Sequence, residues 1–179
     1  MKERWELYKQ LGLLPSTGDS CMLEYPWGQS EALESIQDIE SGELDFCPHA
    51  QAGKWLLFYP LEELDEKWKQ ACEFFEAAKL KYVHHIAIGT FQPNTRSPPG
   101  KRCMTFYCCI DDPFLIMNAG LSIVKLMKYP VCCYYRTNLQ SQKPCNPGAK
   151  NFTCFIRPEM HNAEPDWILE RFFPNLKEV

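Results

Sequence analysis

Apolar positions recur at two spacings along the chain, and their alternation defines a set of strands and helices. Trp55 to Tyr59 (WLLFY) reads as a strand that Pro60 ends. Leu61 to Leu80 is the clearest helix. Leu64, Trp68, Ala71, Cys72 and Phe75 recur at helical spacing, while Glu62, Glu63, Glu66 and Lys69 fall on other faces. Tyr82 to Phe91 reads as a strand, Gln92 to Lys101 as a Pro-rich loop, and Arg102 to Ile110 as a strand. Asp112-Pro113 caps and opens an apolar helix ending before Pro130. Val131 to Thr137 and Phe152 to Arg157 are further strands, and a last helix covers Asp166 to Phe172. From Gly53 to Thr137 the order is β-α-β-β-α-β. That order predicts an α+β fold with an antiparallel sheet and helices packed on one face. The other face is then solvated, covered by the N-terminal segments, or used to bind something. Trp55, Leu57, Trp68, Phe75, Phe106, Ile123 and Leu126 are the expected shared core.

Ahead of this core, Leu7, Leu11 and Leu14 fall on one helical face, and Ser30 caps a second short helix over Glu31 to Glu40. The 179 residues are expected to form a single domain, with 1-50 as a helical extension and 51-179 as the sheet-helix core. A hydrophobic fraction of 45% supplies a core without disulfides or metal. The net charge of −4 argues against a broad polyanion-binding surface, so any nucleic-acid site must be local. No apolar leader follows Met1, and no run is long enough to span a membrane, which implies a cytoplasmic (intracellular) protein. The ten cysteines then read as reduced core thiols, because Cys103, Cys108, Cys109, Cys132, Cys133 and Cys154 sit in apolar runs.

Catalytic and cofactor motifs are missing. There is no phosphate-binding glycine loop, no H-E-x-x-H and no C-x-x-C, so no metal and no cofactor is expected. Neighbouring cysteines point to opposite faces of a strand and cannot chelate one ion together. An enzyme would have to rely on His85 or Cys21, and nothing local lowers the pKa of that thiol. The remaining candidates are ligand contacts. Tyr134 and Arg136 share a strand face, which suits a ring and a phosphate. Lys101 and Arg102, with Arg96, border the Pro-rich loop. One ring of His84-His85 faces away from the helices, with His85 the candidate, and Trp27 offers a stacking surface.

The segment from Ser35 to Thr137 resembles a known family. Gly53-Lys54-Trp55 opening an apolar run, then Leu64-Asp65 with Trp68, the Lys79-Leu80 exit and Tyr134-Tyr135-Arg136 are similar to the basophilic leukemia expressed protein family. That family is similar in fold to the cap-binding translation initiation factor 4E. The resemblance implies a curved sheet whose concave face holds a methylated guanine between tryptophans, with an acid on the base and Lys or Arg on the phosphates. No mid-chain Trp-Glu pair is present to supply that acid, since Trp5-Glu6 is the only such dipeptide. The chain is therefore expected to be a non-catalytic module binding RNA, a nucleotide or another phosphorylated ligand on the concave face. The alternative is a protein-interaction domain with no small ligand. Tyr8 to Leu14 also resembles the short motif by which partners dock on the helical face of that fold, and the segment is expected to lie over the chain's own helices.

Overall fold

Residues 6, 10, 22–24, 52–90, 97–142 and 152–176 are described by the structure, a computed structural model. Trp27, Arg96, Cys21, the helix expected over Glu31 to Glu40 and most of the N-terminal segment lie outside them. Glu6 and Gln10 are helical, which fits the first predicted helix at those two positions.

Among the described residues six antiparallel strands form one curved sheet: β1 (Met22–Glu24), β2 (Gly53–Pro60), β3 (His85–Gly89), β4 (Lys101–Cys108), β5 (Cys133–Thr137) and β6 (Cys154–Ile156). Their order across the sheet is β1-β3-β4-β2-β5-β6. Helices α1 (Leu64–Glu76), α2 (Pro113–Leu126), α3 (Asn138–Gln142) and α4 (Pro165–Phe172) accompany the sheet, with short 3-10 turns at Leu61–Glu63, Pro158–Met160 and Pro174–Leu176. The β-α-β-β-α-β order and the β3-β4 hairpin stand as expected. The long helix is shorter than its sequence pattern suggests: Pro60 leads into a 3-10 turn over Leu61–Glu63, and the α-helical turns begin at Leu64. Asp112 caps α2, its Oδ1 accepting from Phe114 N at 2.7 Å and Leu115 N at 3.3 Å.

Alternation along the strands separates two faces. On the helix side, Trp55, Leu57, Phe106, Met104, Ile86, Ile88 and Tyr135 are fully buried against Leu64, Trp68, Ile116 and Ile123. Each such side chain contributes about 1.5–3 kcal/mol by leaving water. Phe75 and Leu126, expected in the core, pack against it only partly buried. The Trp55 indole N–H donates to Ile116 O at 3.1 Å, fixing α2 over the sheet centre. Gly120 makes that approach possible, because a Cβ there would strike the Trp55 ring and lie 2.7 Å from Ile156 Cδ1. Gly53 serves β5 in the same way. A Cβ would fall on the Arg136 carbonyl and lie 2.7 Å from Thr137 Cα.

The cysteines match expectation in part. Cys72, Cys108, Cys133 and Cys154 are free and buried, and Cys103 and Cys132 are free and half-buried. Cys109 is disulfide-bonded instead, with its partner outside the described residues. An apolar setting favours a thiol as a small hydrophobe, but Cys109 lies just past the end of β4 and is not held in the sheet core.

Candidate functional site on the far face of the sheet

The far face, opposite the helices, carries the polar chemistry. Register places His85 opposite Tyr107, Tyr107 opposite Lys54, and Lys54 opposite Arg136, giving one row across β3, β4, β2 and β5. The next row runs Ala87, Thr105, Leu56, Tyr134 and Phe155. Strands β2 to β6 contain no Asp or Glu. The acid closest in register is Glu24 of β1, opposite Ala87.

Within the first row the Lys54 ammonium lies 4.9 Å from the Tyr107 ring centroid. The His85 and His84 rings lie 5.2 Å and 6.4 Å from the Tyr107 ring, centroid to centroid. Burial holds both imidazoles neutral, lowering each from 6.5 to about 4; proximity to His84 adds to the effect on His85. The row thus presents two fixed cations and neutral rings. Cys103, further along β4, has its thiol pushed up to about 12 by burial, with Lys54 and Arg136 pulling the other way. That thiol stays protonated near neutrality and is no nucleophile.

Arg136 is positioned by α3. Thr137 and Gln140 form a reciprocal capping box: Gln140 N donates to Thr137 Oγ1 at 3.1 Å, and Thr137 N donates to Gln140 Oε1 at 3.0 Å. Thr153 Oγ1 also donates to Gln140 Oε1 at 3.0 Å, tying the turn to the approach to β6. The turn sets the Gln140 carbonyl where Arg136 Nη2 donates to it at 3.0 Å. The guanidinium is therefore held at one end by α3, and its buried Nε makes no hydrogen bond.

The residues proposed from sequence do not all converge. Tyr134, Arg136 and His85 share the far face; Tyr134 is 36% exposed, whereas His85 is 3% exposed. Lys101 also belongs to this face by alternation, but it stands at the other end of β4, opposite Pro60. Arg102 requires correction. It pairs with Tyr59, lies on the helix side and is buried, donating from Nε to Thr90 O at 2.6 Å and from Nη1 to Lys101 O at 2.8 Å. Its charge is used to hold backbone carbonyls and is not presented by the far face. Trp27 lies outside the described residues. Lys54 and Tyr107 are the additions that sequence reasoning missed. Lys54 was legible as the polar residue between Gly53 and the buried Trp55, but only register brings it beside Arg136.

Among the described residues no group of His, Cys, Asp or Glu gathers as for a metal ion, and no helix is long and apolar enough to cross a membrane.

No protein-family profile matches this sequence, and no curated protein sequence matches it. The narrower family resemblance therefore has no sequence match behind it, while the wider fold has structural ones. A complex of C. elegans eIF4E-3 with the 4E-binding protein Mextli is similar at 12% identity and a TM-score of 0.54, over 82% of this chain and 80% of that one. The complex of the same protein with Mextli and a cap analog is similar at 13% identity and a TM-score of 0.52, over 82% and 79%. At these identities the likeness establishes a shared eIF4E-like fold.

Proposed function

We propose that this chain is a non-catalytic binding module that takes a phosphorylated ligand, a nucleotide or an RNA end, on the far face of its sheet. The observation that carries the reading is the cross-strand pairing of Lys54 with Arg136 beside Tyr107 and Tyr134. Two cations directly opposite each other on one face give an anion charge-assisted donors from both strands. Flanking rings suit a base. The solved neighbours, one of them in complex with a cap analog, have the same fold, and this supports a nucleotide ligand. Strands β2 to β6 carry no acid to select a cationic methylated base over a neutral one, and the acid closest in register is Glu24 of β1.

A thermal-shift series with nucleosides, nucleoside diphosphates and cap analogues tests this. At a hundredfold excess over Kd a phosphorylated ligand should raise Tm by roughly 5–10 °C, and the bare nucleoside by much less. Lys54→Gln and Arg136→Gln should abolish the shift. The reading fails if no phosphorylated compound shifts the melt, or if both variants respond like the parent. The neighbours' complexes with a 4E-binding protein support a protein partner as a second ligand.

A further inference from the structure

We propose that the far face accommodates a single-stranded oligonucleotide, with a base against the Tyr134–Phe155 pair and phosphates at Arg136 and Arg157 on either side. This rests on the reading above and extends it from one phosphorylated group to a strand.

Tyr134 of β5 and Phe155 of β6 are register partners, so their rings share the far face. Arg136 lies two residues beyond Tyr134 in one direction. Arg157 lies two residues beyond Phe155 in the other, with extended backbone that continues the alternation of β6. The two arginines therefore bracket the ring pair, separated along the strands by roughly four residues, about 13 Å. A single phosphate engages donors at about 3 Å and does not reach both. A ligand that uses both needs anions separated by something flat, which describes successive phosphates with a base between them.

Both cations are oriented by contacts already in place. Arg136 is held toward α3 by the Gln140 carbonyl, away from Arg157. The Arg157 guanidinium lies over the Phe155 ring, 4.7 Å from its centroid. Its ion pair with Glu159 is long, 3.9 Å, with the two side chains 51% and 66% exposed, so solvent screens it and the donors remain usable. The rings belong to a wider aromatic cluster. Phe152 lies 5.0 Å from Tyr134 and Phe173 lies 5.0 Å from Phe155. Duplex bases are already stacked on each other, so a ring platform of this kind selects a single strand.

The test compares uridine monophosphate with a labelled six-nucleotide uridine RNA by fluorescence anisotropy and competition. The hexamer should bind at least tenfold tighter. Arg157→Gln should remove most of that gain, leave the mononucleotide unchanged, and reduce the slope of log affinity against log salt by about 0.7. Arg157→Lys, which keeps the charge but not the planar fork, should recover the salt slope and only part of the gain. The proposal is overturned if the hexamer binds no tighter than the mononucleotide, if Arg157→Gln weakens both equally, or if a duplex or an acidic peptide competes as well as the single strand. If the mononucleotide and the hexamer both fail to bind, the reading of the face as a phosphate site falls as well.

Discussion

The two faces of one sheet, built from the same strands with alternate residues, have been put to opposite uses. On the helix side, Trp55, Leu57, Tyr135, Phe106 and Met104 leave no accessible surface, and the Trp55 indole nitrogen is hydrogen-bonded. On the far side, Lys54, Leu56, Phe58, Tyr107 and Arg136 are only half-buried, and Tyr134 is exposed. A face that placed two cations side by side and left rings accessible was not optimised for stability alone. The difference gives an operational rule: changes on the helix side should cost folding, and changes on the far side should cost binding.

The largest effect expected is at the helix side. Trp55→Ala removes the largest central side chain and its indole hydrogen bond to the Ile116 carbonyl, so it should destabilise by about 3–5 kcal/mol. Trp68→Ala, fully buried in α1, should cost a similar amount. Denaturant melts within a few tenths of a kcal/mol of the parent would break the comparison at its stronger end.

Next comes His85, which belongs to the far face yet is buried. Unfolded, its imidazole takes a proton near 6.5; folded, it resists until about 4. The unfolded chain thus binds more protons over that window, and stability falls as pH drops from 6.5 toward 4, by about 3 kcal/mol at the lower limit. His84 acts in the same direction. A His85→Phe variant should show a shallower loss between pH 7 and pH 5 than the parent, and equal slopes would show that burial does not govern this imidazole.

Gln140→Ala sits between the two regimes. Loss of the capping box should cost about 1 kcal/mol in melts. It should also loosen the turn that holds Arg136 and weaken phosphate binding by more than that stability loss explains. Unaltered binding would separate Arg136 from α3. The smallest stability effect belongs to Tyr134→Ala, within about 0.5 kcal/mol of the parent. Its effect on binding should be larger, about 1–3 kcal/mol for a lost stacking partner. A Tyr134 variant that melts far below the parent yet binds normally would reverse the rule.

Much of this was legible in the sequence, and the failures have identifiable causes. The element order followed from period and from Pro60, Asp112 and Pro113. The position of Arg102 was also legible, since it shares parity with Met104 and Phe106, which belong to the core. Its place beside a Pro-rich loop drew attention away from that alternation. Thr137-Asn138-Leu139-Gln140 carries the S/T-x-x-E/Q capping signature, but so short a helix does not show an apolar period, and α3 was not anticipated. The pairing of Lys54 with Arg136, separated by over eighty positions, depends on register. No local pattern specifies which residue of β2 meets which residue of β5.

The brevity of β6 has a consequence for how other molecules can approach. Among the described residues it is the outer strand on its side of the sheet, it spans Cys154–Ile156, and Pro158 follows Arg157 at once. An outer strand with a long row of unused backbone groups is a template for another chain, including a second copy of the same protein. Three residues closed by a proline offer too little ladder for an extended segment to zip onto, and a charged, ring-stacked Arg157 guards the exit. Recognition by strand addition is thereby discouraged on this side, and the protein can display aromatic surface nearby without inviting edge-to-edge self-assembly.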